Sequence, residues 1–141
     1  MATPRKTVVI TGASSGIGFA LAEAYLGEGF NVVANSRSRE RLEAAARALG
    51  GPENLLLIDG DIGRPETARR LFAEAIHRFD GLNVLVNNAG IFQAKSFVDY
   101  TPEDLASLVS TNLNGFVFAS QEAAKHMLLR RSGHIINGCR T

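Results

Sequence analysis

Glycine and serine residues are concentrated in the segment Thr11–Gly18, which reads TGASSGIG. The segment follows a short β-branched run, TVVIT, and precedes apolar residues at helical spacing, which is the strand–turn–helix context of a phosphate-binding loop. The first N–H groups of a helix have no backbone partner and carry a partial positive charge, so they can bind a pyrophosphate. The segment therefore predicts a dinucleotide site, although the same glycines can form a strand–helix turn without a ligand.

Each small residue of this loop has a separate predicted use. Gly12 permits the tight turn, while Gly16 and Gly18 remove side chains where a phosphate and the neighbouring strand approach closely. The hydroxyl groups of Ser14 and Ser15 can donate further hydrogen bonds to phosphate oxygens.

The residues that end the second predicted strand discriminate between the two dinucleotides. A carboxylate there would bind the ribose 2′-hydroxyl of NAD, whereas an arginine would bind the 2′-phosphate of NADP. The sequence reads Asn35-Ser36-Arg37, without an acid. A bidentate charge-assisted contact from Arg37 favours NADP as the cofactor, with NAD as the alternative. Arg37 can instead be a solvated residue at a basic helix start, beside Arg39 and Arg41.

Three further motifs follow along the chain. Asp61-Ile62 comes after the third predicted strand, Asn87–Gly90 (NNAG) ends the fourth, and Asn112 lies in the segment STNLNG. Together with the spacing Gly-x-x-x-Gly-x-Gly, these motifs resemble the N-terminal portion of the classical short-chain dehydrogenase/reductase (SDR) family, over residues 6–137. The resemblance implies an oxidoreductase that transfers a hydride between nicotinamide and a carbonyl or alcohol.

The resemblance also implies roles for individual residues. Asp61 would accept a hydrogen bond from the adenine amino group while Ile62 packs on the ring, and the backbone of Asn88–Gly90 would approach the cofactor ribose. Asn87 would tie adjacent strands together. Asp61 can instead cap the turn after its strand, and NNAG can be an ordinary turn. The complete predicted cofactor site consists of Gly12, Ser14, Ser15, Gly16, Ile17, Gly18, Ser36, Arg37, Asp61, Ile62, Asn88, Ala89 and Gly90.

The catalytic pair of the family does not occur in this sequence. Reduction of a carbonyl needs a proton donor for the developing alkoxide, and the family uses a Tyr-x-x-x-Lys pair together with a serine. Tyr25 is followed four residues later by Gly29, and Tyr100 by Asp104. We therefore expect a chain that is truncated before the catalytic Tyr and Lys and is inactive alone.

The segment after the fifth predicted strand also departs from the family pattern of Asn, any residue, Ser, Ser. The chain reads Asn137, Gly138, Cys139, Arg140, so only the Asn matches. A nucleophilic Cys139 would lack an evident base partner. Asn112 is the only catalytic residue that carries over, and in the family it holds a water of a proton relay. Asn112 can instead break and cap its helix.

Alternating strands and helices must position these residues. Apolar runs predict strands at 7–11, 30–34, 55–58, 82–86 and 134–137, with amphipathic helices between them. This pattern predicts an α/β fold, a Rossmann-like doubly wound parallel sheet of five strands in the order 3-2-1-4-5, incomplete relative to the family. Thr101 and Pro102 start the fourth helix, and we expect a break near Asn112–Gly115. Residues 1–141 are predicted to form one NAD(P)-binding domain.

Composition limits the possible partners. The 141 residues balance 15 basic against 14 acidic side chains, which gives no electrostatic reason to expect nucleic acid or a membrane surface. One cysteine excludes an intrachain disulfide, and no apolar run suits a membrane helix or a signal peptide, so we expect a cytoplasmic protein. The spacing of His77, His126 and His134 indicates no metal site.

Two functions remain open from the sequence. The chain is either the cofactor-binding part of an NADP-dependent SDR or a stand-alone, non-catalytic nucleotide-binding or regulatory module. If the chain is a stand-alone module, the fifth strand would be an exposed edge that carries Ile135 and Ile136. We therefore expect self-association, or a homo-oligomer, through the last helix and this strand.

Overall fold

Five parallel strands form the sheet in the computed structural model, which describes residues 3–138. The strands are β1 (Thr7–Thr11), β2 (Asn31–Ser36), β3 (Leu55–Asp59), β4 (Val84–Asn87) and β5 (His134–Asn137). Their order is β3-β2-β1-β4-β5, and every neighbouring pair is parallel. The predicted fold class and strand order are therefore confirmed.

Helices connect the strands throughout the described range. They are α1 (Gly16–Gly27), α2 (Arg39–Ala48), α3 (Pro65–Phe79), α4 (Pro102–Leu108) and α5 (Gly115–Arg130). A 3₁₀ turn, Phe97–Asp99, precedes α4, and a π-helical segment, Val109–Asn114, joins α4 to α5. Between residues 3 and 138, no helix has the length and apolar character needed to cross a membrane.

The residues of β1 alternate between two apolar layers, one on each face of the sheet. Val9 packs in a cluster with Leu71 of α3 and Ala119 of α5. Val8 packs in a second cluster, with residues of α1 and with Leu42 of α2. All of β1 is buried, as a strand covered on both faces requires. The strand–helix turns therefore meet at the carboxyl edge of the sheet, between the two layers.

A capping box fixes the start of α4. The Asp104 N–H donates to Thr101 Oγ1 at 3.1 Å, and the Thr101 N–H donates to the Asp104 carboxylate at 3.0 Å. Pro102 occupies the first turn, which confirms the predicted helix start. The Lys95 ammonium, which donates to the same carboxylate, lowers the pKa of Asp104, and the Thr101 N–H lowers it further. The cap therefore stays ionised to lower pH than a free aspartate.

The regular α-helix is interrupted close to the predicted break at Asn112–Gly115, but by a π-helical segment and not by an end of the helix. The backbone continues from α4 into α5 through the π-helical segment, and Leu108, Asn114 and Gly115 keep right-handed helical torsion angles. A π-turn takes up one extra residue without ending the helix. The glycine is needed for packing, because a Cβ at Gly115 would lie 2.7 Å from Ile62 Cγ2.

Strand β5 forms one edge of the described sheet. Within residues 3–138 it pairs only with β4, and all four of its residues are exposed. Ile135 and Ile136 are 38% and 45% exposed. The expected apolar edge strand is therefore present.

Candidate functional site

A cleft of about 460 Å³ opens at the carboxyl edge of the sheet. It is bordered by the turns after β1 to β4 and by the π-helical segment. Among its lining residues are eleven that the sequence predicted for the cofactor site: Gly12, Ser14, Ser15, Gly16, Ser36, Arg37, Asp61, Ile62, Asn88, Ala89 and Gly90. The sequence did not select six others that also line it: Asn35, Ser38, Arg41, Gly60, Ile91 and Thr111.

The two remaining predicted residues, Ile17 and Gly18, do not line the cleft. Ile17 is 63% exposed at the start of α1, whereas Gly18 is buried in the same helix. A Cβ at Gly18 would overlap the Gly12 carbonyl oxygen and lie 2.5 Å from Asn88 Nδ2. Gly18 therefore serves close packing behind the loop.

Gly12 and Gly16 have a different requirement from Gly18, because both adopt left-handed backbone torsion angles, with φ of +64° and +57°. A Cβ at Gly12 would lie 2.9 Å from Ala89 Cα, so that glycine also allows the turns after β1 and β4 to approach each other. A Cβ at Gly16 would meet nothing within 4 Å. The space over Gly16 opens into the cleft and is free for a ligand.

The start of α1 keeps its partial positive charge. Ser15 occupies the N-cap position, but its side chain makes no capping hydrogen bond, and the first turn carries no acidic residue. The first N–H groups of the helix therefore remain available to an anion at this end of the cleft.

A hydrogen-bonded clamp holds the glycine loop against the turn after β4. Thr11 Oγ1 accepts from the N–H groups of Asn88 and Ala89 at 3.1 and 3.0 Å. In return, Asn88 Nδ2 donates to the carbonyl oxygens of Thr11 and Gly12 at 3.2 and 3.1 Å. The Asn88 side chain is thus occupied by the loop. Thr11 was not predicted for the site, because its only signal in the sequence is a hydroxyl residue at the end of an apolar strand.

Two more asparagines at the ends of strands brace this edge. Asn87 Nδ2 donates to Ser120 Oγ at 2.9 Å and to Asn137 Oδ1 at 3.1 Å, so it ties β4 to α5 and to β5; the tie between the two strands is the one that the family resemblance implied. Asn35, only 1% exposed, donates from Nδ2 to the carbonyl oxygens of Ile58 and Gly60 at 3.0 and 3.2 Å. Asn35 was not predicted for the site, yet it fixes the turn after β3.

The three arginines after β2 differ in their surroundings. Arg39 is held away from the cleft, since its guanidinium donates to Glu43 at 3.1 Å and lies 3.7 Å from Asp59 Oδ1. Arg37 and Arg41 line the cleft. Neither of them forms an ion pair with another residue of the described chain. The cleft therefore has two unneutralised guanidinium groups at its β2 end.

Asp61 has one oxygen engaged in its own turn. Its Oδ1 accepts the Gly63 N–H at 2.9 Å, which is the capping contact considered as an alternative from the sequence. Ile62 is 4% exposed and packs in the core, so little of its side chain faces the cleft. Asp61 thus offers its second oxygen, Oδ2, to a partner in the cleft.

Comparison with known proteins identifies the family of this chain. The sequence profile described as short chain dehydrogenase matches residues 6–139. The chain belongs to the short-chain dehydrogenase family.

Individual relatives agree with the family. The chain is 41% identical over 138 residues to L-rhamnose-1-dehydrogenase of Scheffersomyces stipitis, covering 94% of this chain and 54% of that protein. A short chain dehydrogenase from Bacillus anthracis superposes with a TM-score of 0.89 at 29% identity, over 94% of this chain and 56% of the other. ElxO with NADP bound has a TM-score of 0.87 at 30% identity, over 94% and 54%. The chain spans about half the length of the curated relatives it matches.

In this short-chain dehydrogenase chain, Asn112 holds the loop that leaves β4. The Ile91 N–H donates to Asn112 Oδ1 at 2.8 Å, and Asn112 Nδ2 donates to the Ile91 carbonyl at 2.9 Å. The alternative that Asn112 caps its own helix is therefore wrong, because both polar atoms of its side chain bind another segment. Asn112 shares a small cavity with Asn137 and Gly138. The neighbouring Cys139 and Arg140 lie outside the described residues.

Neither tyrosine is directed to the cleft. Tyr25, near the end of α1, packs edge-on against Phe30, with ring centroids 4.9 Å apart. The Tyr100 hydroxyl donates to the carbonyl of Gln93, within the loop before α4. No tyrosine of the family's proton-donating pair is therefore present in the dehydrogenase cleft among residues 3–138.

Proposed function

We propose that this chain is the NADP-binding domain of a short-chain dehydrogenase, spanning residues 1–141, and that it depends on further residues for catalysis. The observation that carries the cofactor choice is the position of Arg37. It lines the cleft just after β2 and forms no ion pair with another residue between 3 and 138, at the position where a carboxylate would select NAD. NADP bound to the structurally similar ElxO supports the same choice.

The residues present fit a dinucleotide along the whole cleft. The pyrophosphate would be held at the α1 N-terminus over Gly16, where the structure leaves open space. The adenine amino group would bond to Asp61 Oδ2, and the ribose would meet the backbone of Asn88–Gly90. When bound, the nicotinamide exchanges a hydride with a carbonyl or alcohol carbon.

The charges around the β2 end suit a 2′-phosphate. Arg37 and Arg41 supply positive charge, and Ser36 adds a hydroxyl at the same end of the cleft. The carboxylate of Asp59 is paired with Arg39, so its repulsion of a phosphate is reduced. Charge-assisted hydrogen bonds from a planar guanidinium suit a phosphate group.

Arg37→Ala is expected to weaken NADP binding about 10- to 100-fold and to leave NAD binding unchanged, since it removes one or two charge-assisted hydrogen bonds. The measurement is the thermal shift of the chain over a range of NADP and NAD concentrations. Arg39→Ala is the matched control, because Arg39 is already engaged by Glu43 and Asp59. Equal shifts of the unmodified chain with NAD and NADP would remove the basis for NADP.

The chain alone is expected to give no NADPH-dependent reduction of carbonyl compounds, because neither tyrosine is followed by the partner lysine. The assay follows NADPH absorbance with a panel of aldehydes and ketones at high protein concentration. Gly16→Trp, which fills the open space over the loop, is the control for contaminating activity. Steady turnover that is abolished by Gly16→Trp would show that the chain catalyses the reaction by itself. That result would contradict the proposed dependence on further residues.

Self-association is part of the same proposal. Strand β5 exposes Ile135 and Ile136 on an unpaired edge of the described sheet, and the end of α5 exposes Leu128 and Leu129 at 77% and 86%. Exposed apolar edges and faces favour pairing with another surface.

A further inference from the structure

A second groove, of about 550 Å³, adjoins the outer end of the cleft. The two depressions share four lining residues: Arg37, Asp61, Ile91 and Thr111. Beyond these, the groove runs along α4 and the start of the π-helical segment. The groove is therefore continuous with the cleft, and a molecule bound in the cleft can extend into the groove.

The far end of the groove is small, polar and uncharged. Ala106, Ser107 and Ser110 form the helical side, and Gln93 forms the loop side. Ala106 and Ser107 are exposed and short, so space lies above them. The Gln93 backbone is held in place, since its carbonyl accepts the Tyr100 hydroxyl. The loop side of the groove is thus tied to Tyr100, just before the start of α4.

Asp61 lies between this groove and the adenine that the proposed function places in the cleft. The inference rests on that proposed function. Asp61 Oδ1 is taken by the Gly63 N–H, which leaves Oδ2 for one hydrogen of the adenine amino group. That amino nitrogen carries a second hydrogen, which the Asp61 contact does not use. Since Asp61 lines both depressions, an amino group bonded to Asp61 would have the groove beside it.

We propose that the groove is an extension of the nucleotide site and admits NADP substituted on the adenine amino nitrogen. The ligand class is an adenine dinucleotide with a short neutral or amine-terminated chain on that nitrogen. The chain would replace the unused hydrogen, keep the Asp61 bond, and lie between Gln93 and Ser107. The hydroxyl and carboxamide groups there offer both donors and acceptors.

The test compares NADP with NADP that carries a 2-aminoethyl group on the adenine amino nitrogen, by thermal shift and calorimetry. The unmodified chain is expected to bind the two within about threefold of each other, because the groove leaves room for the substituent. Ser107→Trp is expected to weaken the substituted dinucleotide at least about tenfold by filling the groove, and to leave NADP within about twofold. Glu103→Trp, an exposed α4 position outside the groove, is the matched control.

The outcomes separate this inference from the proposed function. If NADP itself does not bind, the proposed function fails. If NADP binds but the substituted form binds more than about tenfold weaker to the unmodified chain, the groove is closed to it and the inference is overturned. If Ser107→Trp lowers the affinity for both ligands equally, the inference is also overturned. Ser107 would then lie against the part of the dinucleotide that the two ligands share.

Discussion

Gly18→Ala is expected to destabilise the chain by about 2–3 kcal/mol and to abolish its thermal shift with NADP. The added Cβ would overlap the Gly12 carbonyl oxygen, which is itself the acceptor of an Asn88 hydrogen bond. Neither group can retreat, because Asn88 is also bonded to Thr11. The phosphate loop would therefore shift away from the turn after β4. Urea denaturation with and without NADP measures both effects.

Gly27→Ala provides a control in the same helix. A Cβ at Gly27 would meet nothing within 4 Å, so alanine should leave stability unchanged or raise it by up to about 1 kcal/mol. A Gly18→Ala chain with the denaturation midpoint of the unmodified protein would contradict the packing argument. Retained NADP binding in that variant would show that the loop does not depend on this contact.

Thr11→Val is the second change with a large expected effect, a loss of about 2–3 kcal/mol in unfolding free energy. Valine keeps the shape and apolar contacts of the side chain but removes the oxygen that accepts two N–H groups, from Asn88 and Ala89. Both donors would be left without a partner in a partly buried turn. Since that turn lines the cleft, NADP affinity should fall as well. Denaturation and NADP titration are the measurements.

Thr7→Val at the other end of β1 is the matched control. Thr7 Oγ1 accepts one long hydrogen bond, 3.3 Å from Asn31 Nδ2, so the expected loss is no more than about 1 kcal/mol. Thr11→Ser should restore most of the stability, because it returns the hydroxyl group. Equal losses for the valine variants of Thr7 and Thr11 would mean that the clamp adds nothing beyond an ordinary strand-end contact.

The fold could be predicted from the sequence because its strands are apolar on both faces and its turns carry glycine. Thr7–Thr11 and His134–Asn137 have the predicted boundaries. The end of β2 was placed too early, at residue 34, whereas the strand continues to Ser36. The reason is Asn35, a polar residue that is buried only because carbonyl groups of the next turn accept its hydrogen bonds. Hydrophobic patterns carry no signal for such a contact.

The loops that form the site could be predicted from the sequence, but the hydrogen bonds that hold those loops together could not. The glycine loop was selected by its spacing, and the NNAG turn and Asp61 by the family resemblance; the structure brings all three to the same cleft. The clamp between Thr11 and Asn88 joins residues 77 apart in the chain, and the contact of Asn112 with Ile91 spans 21. Long-range partners of this kind depend on the register of β1 and β4 and leave no local pattern.

The π-helical segment, Val109–Asn114, sets the rotational phase between two helices with different tasks. Each residue of an α-helix turns the side chains by about 100°, so one extra residue in the segment offsets the faces of α4 and α5 by that angle. In α4, Asp104 forms an ion pair with Lys95, in the loop between β4 and α4. In α5, Ala119 and Ala123 meet the sheet. In an uninterrupted α-helix, one of these two faces would point to solvent. The π-helical segment therefore allows α4 to contact the loop at the rim of the cleft while α5 packs in the core.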